Sequence, residues 1–493
     1  MSRRPDLDPE SIDAVVRRVR ARFGGSSPES AKSPPVAGPP VPPSGSSREL
    51  LGEGVFASVD EAVTAARSAF EAYQDLGFDL RHRLVKALRE AFREHAEILG
   101  REAWQETGLG RAEDKRLKNL LVAEHTPGPE DLETATLRGG GGRTWTEYSP
   151  YGVIASITPT TNPTSTIINN SLAMLSAGNS VVFNVHPNAR RVSLDTVRLI
   201  SRVSAAVGAP PNLVTAICEP TIDSAKALMH HPKVRLLLVT GGPGVVKEAL
   251  ATQKKAITAG PGNPPVVVDE TADLEVAAAG IVAGASFDNN VICTDEKEVL
   301  VVESVADELL RRLRRQPVHI LAEHEVRKVE RVIFRQLGAP GRPGRIEPKW
   351  IGQNAGKILE AAGLGAADDG LRLLIAPVPV DHSLVWTEQL LPVLPIARVA
   401  DSRRALDVAR RAEHGFGHTA SIYSRNVETI TAMARALSVS IFIVNGPNYS
   451  GLGYGAEGFT SFSIASPTGE GLTRPRTFSR VRRMTVLGSL EGF

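Results

Sequence analysis

KVRLLLVTGGPGVVKEALAT (233–252) is the stretch on which the fold turns. RLLLV is an apolar run the length of one strand, Thr240 to Gly244 is a glycine-rich turn, and VVKEALAT has helical composition. Glycines there let the backbone approach a phosphate, and the N-terminus of the following helix favours negative charge. The turn lacks the G-x-G-x-x-G spacing of a dinucleotide fingerprint, so alone it marks only a strand-to-helix corner. Outward from it the same unit repeats. YGVIASITP (151–159), NSVVFNVHP (179–187), NLVTAI (212–217) and PPVVVDE (264–270) are further β-rich runs, separated by helix-length segments. Strands alternating with helical crossovers imply parallel βαβ units in a doubly wound sheet. KEVLVVE (297–303), LRLLIAPV (371–378) and SIFIVNG (440–446) form a second set, and two α/β domains follow. Ahead of them, EAVTAARSAFEAYQ (61–74) and RHRLVKALREAFREHAEILGREAWQETG (81–108) are helical by period.

The chain has 493 residues, enough for two or three domains with ample cores. Its formal charge of +2 gives no reason to expect a nucleic-acid partner. Apolar runs such as Val299 to Val302 fall far short of a membrane span, and the start of the chain lacks the apolar core of a secretory signal. Two cysteines, Cys218 and Cys293, make no disulfide framework and fit a reducing cytoplasm. No other Cys or His falls at ligand spacing near either, so no metal site is expected.

Residues 5–23 (PDLDPESIDAVVRRVRARF) read as a short amphipathic helix, with Ile12, Val15, Val16, Val19 and Phe23 at three- and four-residue steps. Residues 24–47 are almost wholly Ser, Pro and Gly and read as an extended tether. Three uses fit a short helix on a tether: a docking or address peptide, a membrane-surface helix, or an arm packing on its own subunit.

Seven blocks occur in one order: ITPTTNPTSTIINN (157–170), NSVVFNVHPNA (179–189), TGGPGVVKEAL (240–250), AGPGNPPVVVDETADLE (259–275), GASFDNNVICTDEKEV (284–299), TEQLLPVLPI (387–396) and GYGAEGFTSFSIASPTGEG (453–471). In these blocks the chain resembles the aldehyde dehydrogenases from about Arg48 onward. It is most similar to the CoA-acylating branch, the propionaldehyde and acetaldehyde dehydrogenases of propanediol- and ethanolamine-utilisation microcompartments. The resemblance implies a Rossmann-like cofactor domain (48–265), an α/β catalytic domain (266–445), a return segment and tail (446–493), and a small β oligomerisation arm. The hairpin of that arm is 132–150, with its glycines as the turn, and RVRRMTVLGS offers the tail strand. A homodimer or homotetramer is implied, without a number. The helix at 5–23 takes the form of an encapsulation peptide for a shell or cargo protein, which places the enzyme in a cytoplasmic microcompartment lumen.

The same resemblance assigns chemistry. Cys293 is the nucleophile, whose thiolate adds to an aldehyde and later carries an acyl thioester. The Cys293 backbone N–H and the Asn162 amide receive the oxyanion, although a gapless match to the hydrolytic branch puts Thr161 at the amide position. Asn162 has a plainer reading too, as the residue that shapes the turn before Pro163. Where the hydrolytic branch carries a water-activating glutamate, this chain has Ala259, so the acyl group must leave to a thiol, coenzyme A. Glu388 matches the carboxylate that holds the nicotinamide ribose of NAD, and Gly241 and Gly242 match the turn against its pyrophosphate. Thr158, Pro159, Thr240 and Val245 belong to the same cofactor site. His186 stands where hydrolytic relatives have a lysine near the adenosine ribose. The base that takes the thiol proton is open among His186, His382 and His418, and Cys218 reads as structural. Hydrolytic oxidation, a phosphorylating semialdehyde dehydrogenase and a non-catalytic scaffold on this fold are the rival readings.

Overall fold

The computed structural model describes residues 51–365 and 368–488. The helix expected at 5–23 and the linker at 24–47 lie outside the described residues. Helix Val59–Gln74 begins at a capping box in which Ser58 and Glu61 satisfy each other's backbone N–H groups. Helix Phe78–Thr107 stops at Gly108, whose φ of +66° is the left-handed cap that glycine adopts without a steric penalty.

Six parallel strands form the first sheet, in the order Val55–Phe56, Val214–Ile217, Ser180–Asn184, Val153–Ile157, Val234–Thr240, Lys255–Ala259. From the central Val153–Ile157 the chain steps outward on one side, then crosses to build the other side. The strand order therefore reverses between the carboxyl ends of Val153–Ile157 and Val234–Thr240, where open α/β sheets bind ligands. Helix Pro163–Ser176, buried along its whole length, packs beneath.

Seven parallel strands form the second sheet: Val318–Ile320, Leu373–Pro377, Val393–Val399, Glu298–Val302, Pro265–Val268, Thr419–Tyr423, Ile441–Val444. PPVVVDE, grouped by sequence with the first set, supplies a central strand here. Several strands escaped the sequence reading, Val55–Phe56 and Val318–Ile320 because they are only two and three residues long. Lys255–Ala259 opens on lysines, Val393–Val399 carries a proline, and Thr419–Tyr423 is short and partly polar.

A third, antiparallel sheet joins Ala135–Gly139, Gly142–Pro150 and Ser479–Leu487. Leu137, Val481 and Leu487 remain 71%, 70% and 81% exposed on it. The return segment ties back to the first sheet: Ser463 Oγ meets Thr240 Oγ1 at 3.1 Å, and Thr258 N–H donates to Thr468 Oγ1 at 3.1 Å.

Candidate active site

The carboxyl edge of the first sheet gathers the residues expected to hold a dinucleotide. Thr158 follows the central strand, and its buried Oγ1 has no partner among the described residues. Across the strand-order reversal, Thr240 ends its strand and Gly242 opens helix Pro243–Ala251 with no side-chain cap. Pro243 has no N–H and Val245 N–H bonds Gly242 O at 3.1 Å, so in this first turn the Gly244 N–H is the one left for an anion. Val245 lies in the first turn of that helix, Pro159 follows Thr158, and His186 caps the short turn after Ser180–Asn184, its Nδ1 accepting from Asn188 N–H at 3.2 Å. Beside them opens a cavity of about 360 Å³, lined by Val246, Leu250, Gly260, Pro261, Phe416, Pro467 and one cation, Lys247. An orphaned hydroxyl, an uncapped helix start and an apolar cleft together fit a dinucleotide or an adenine-bearing thiol.

Cys293 is half-buried, at the end of a loop that is otherwise sealed. Asp288, Asn289 and Asn290 have φ of +46°, +55° and +65°, three successive left-handed residues of which none is glycine. Each such residue costs about 1 kcal/mol or more and needs external support. The support is dense. Lys297 Nζ donates to Asn290 O at 3.0 Å, Asn290 Oδ1 at 2.5 Å and Ile292 O at 3.0 Å. Asn289 Nδ2 reaches Gly352 O at 2.9 Å and Asn354 Oδ1 at 2.8 Å, and Arg111 Nε donates to Asn289 Oδ1 at 2.9 Å. Asp295, Glu296, Lys297 and Glu298 are all fully buried. Burial pushes Glu296 up to about 8 and Asp295 and Glu298 well above the carboxylate range.

Gly262 brings the other groups to the cysteine. A Cβ there would stand 2.7 Å from Cys293 O and 3.1 Å from the His418 ring, so only glycine fits. Its N–H donates to Glu388 Oε1 at 3.1 Å. Burial, followed by the Glu388 charge, pushes the Cys293 thiol up to about 12. His418 Nδ1 lies 2.8 Å from Thr419 Oγ1, while its buried Nε2 has no partner among the described residues. Burial, then the Lys297 charge, lowers this imidazole to about 4. Of the other two histidines weighed, His382 is engaged by Glu330 at 2.7 Å and His186 belongs to the cofactor edge. Ala259 ends its strand three residues before Gly262, almost wholly buried. Cys218 is buried.

Asn162 is buried at the start of helix Pro163–Ser176 and makes no capping bond with its side chain. Its Oδ1 instead accepts from Lys118 Nζ at 2.6 Å. Lys118 and Lys115 come from helix Ala112–His125 and are missing from the sequence reading. So is Lys297. Within AEDKRLKNLL and TDEKE such residues look like an ordinary solvated charged face. Lys297 alone stands inside one of the quoted blocks, GASFDNNVICTDEKEV; Lys115 and Lys118 lie more than 40 positions before Asn162. Among the described residues, no cluster of His, Cys, Asp or Glu could hold a metal ion.

The family model for the aldehyde dehydrogenases matches residues 52–326 of the chain. Over 439 residues, 89% of this chain and 93% of the relative, it is 45% identical to the acetylating acetaldehyde dehydrogenase EutE of Salmonella typhimurium. The chain belongs to the aldehyde dehydrogenase family. Among solved structures, propionaldehyde dehydrogenase of Rhodopseudomonas palustris, with bound CoA and an acylated cysteine, superimposes with a TM-score of 0.86 at 44% identity. That match covers 90% of this chain and all of the other. A propionaldehyde dehydrogenase from the fucose utilisation microcompartment of Clostridium phytofermentans gives 0.85 at 40% identity, over 89% of this chain and 99% of that one. In this aldehyde dehydrogenase the two parallel sheets are the α/β architecture that the family resemblance implied.

Proposed function

We propose that this chain is a CoA-acylating aldehyde dehydrogenase, which oxidises a short aliphatic aldehyde to its acyl-CoA with NAD through a thioester on Cys293. The observation that carries the reading is a half-buried cysteine whose carbonyl abuts Gly262, three residues beyond a strand end that bears Ala259 in place of a water-activating carboxylate. In this reading the Cys293 sulfur bonds to the carbonyl carbon and leaves negative charge on the oxygen. The Cys293 backbone N–H and the Asn162 amide stabilise that charge, most strongly where water is excluded. NAD, when bound, supplies the hydride acceptor. Thr158, Pro159, His186, Thr240, Gly241, Gly242 and Val245 would hold it, with Glu388 on the ribose diol. The thioester persists on Cys293 until the CoA thiolate attacks its carbonyl carbon, and the bond to Cys293 then breaks. His418, lowered to about 4, is a weak acceptor for the thiol proton, and its Nε2 meets no partner among the described residues, the Cys293 thiol included. Hydrolysis would need a base to activate water, and Ala259 supplies none at the position where the hydrolytic branch carries its glutamate.

Purified protein given propanal and NAD should produce NADH continuously only when CoA is present, with acyl-CoA as the product. Equal turnover without CoA, yielding free acid, would make the enzyme hydrolytic. No CoA-dependent NADH at all would leave the scaffold reading.

The exposed apolar residues of the three-stranded sheet support a homo-oligomer that buries them. We assign residues 5–23, amphipathic by their sequence pattern, to docking on a shell or cargo protein within a microcompartment, a reading supported by the microcompartment relatives. Deleting 1–47 should leave kcat unchanged and abolish co-purification with shells. Lost catalysis on that truncation would assign the segment to the enzyme body instead. Among the described residues, no helix is long and apolar enough to cross a membrane.

A further inference from the structure

The Asn162 amide can serve an oxyanion only if its N–H2 end, and not its carbonyl, faces the substrate. Lys118 decides which end that is. An ammonium has three donors and no acceptor, so the group 2.6 Å from its Nζ must be Oδ1, and Nδ2 is turned away from it. One Nδ2 hydrogen goes to Thr161 Oγ1 at 3.2 Å, and the other has no acceptor among the described residues. Lys118 is 1% exposed, and the same ammonium bonds Asp288 Oδ2. Lys115 Nζ reaches that oxygen at 2.9 Å and the Thr161 carbonyl at 3.2 Å. Two lysines of one helix thus grip both the turn that carries Asn162 and the strained loop that leads to Cys293.

A lysine on a helix ordinarily runs its stem to the surface and keeps its charge in water. Burying it costs solvation that a methionine of similar volume would not, so stability alone does not account for a charge here. We infer that Lys118 is a positioning residue for acyl transfer, which holds the Asn162 amide with a free N–H towards the oxyanion and ties it through Asp288 to the Cys293 loop. This rests on the reading of Asn162 as an oxyanion donor.

The test is steady-state kinetics with propanal, NAD and CoA on Asn162→Ala, Lys118→Met, the double variant and Lys118→Gln. Melting temperature and NAD binding serve as folding controls. Asn162→Ala should lose about 10²–10³ in kcat. Lys118→Met should lose about 10–100-fold, with the aldehyde KM within about threefold of wild type. In the Asn162→Ala background the Lys118→Met change should cost no more than about threefold, because its effect passes through the amide already removed. Lys118→Gln, which can still donate to Oδ1, should recover at least about fivefold over the methionine variant. Wild-type kcat in Asn162→Ala would sink the oxyanion reading and this inference with it. A slow Asn162→Ala beside an unimpaired Lys118→Met, or losses that multiply in the double variant, would overturn the role of Lys118 alone. Should Lys118→Met fail to fold, Lys118→Gln takes its place in the cycle, and a loss that multiplies with Asn162→Ala overturns the inference.

Discussion

Cys293→Ala is expected to lose at least about 10⁴-fold in CoA-dependent NADH formation, the scale seen when a covalent nucleophile is removed. NAD binding should persist, because the groups proposed to hold the dinucleotide lie on the other sheet and on Glu388. Residual activity above a few per cent would remove Cys293 from the mechanism. The pH dependence of the thiol tests the same assignment in the wild type. Burial and the Glu388 carboxylate place the thiol at about 12, so in the free protein it keeps its proton at neutral pH. Below that value the reactive thiolate fraction rises tenfold per pH unit. Alkylation by iodoacetamide should therefore climb about a hundredfold between pH 7 and 9 without levelling off. A plateau near pH 8 would mean that a group in the site already draws the proton away.

Lys297→Met carries the second large effect, on stability as well as rate. The ammonium satisfies two main-chain carbonyls and the Asn290 amide oxygen in a sealed interior. Removing it strands all three acceptors and leaves the buried Asp295 and Glu298 without their nearest cation. The expected cost is about 3–5 kcal/mol. It should appear as a melting midpoint lower by at least about 5 °C. Because two of those bonds hold Asn290, the last of the three left-handed residues, the loop should relax and kcat should fall with the midpoint. An unchanged midpoint and unchanged kcat would show that the strained loop stands without this lysine.

Where local pattern and tertiary role agree, the sequence was legible. VRLLLV, SVVFN and EVLVV are apolar enough to be strands in any context, and the TGGPG turn is the strand-to-helix corner read from its glycines. Lys255–Ala259 and Val393–Val399 were missed because lysine and proline mask strands that only the sheet reveals. At the site, Cys293, Glu388 and Asn162 stood out through their blocks, and His418 was one of three candidates. Lys118, Lys115 and Lys297 were invisible for a physical reason: sequence implies that charge seeks water, and these charges are instead spent on holding carbonyls and one carboxylate. No local periodicity encodes a partner more than 40 positions away, as Lys118 and Asn162 are.

The three-stranded sheet also imposes a timetable on synthesis. Strand Gly142–Pro150 pairs on one side with a hairpin neighbour and on the other with Ser479–Leu487, where Arg480 and Pro150 are 330 positions apart. At about 5–20 residues per second, a ribosome needs roughly 15–70 s to deliver that second partner. Until then the nascent chain carries an open edge beside the exposed Leu137, a surface that other nascent chains or chaperones can occupy. The three-stranded face is therefore finished only after strand Ser479–Leu487 has emerged, and the homo-oligomer proposed to bury it would have to wait for that strand.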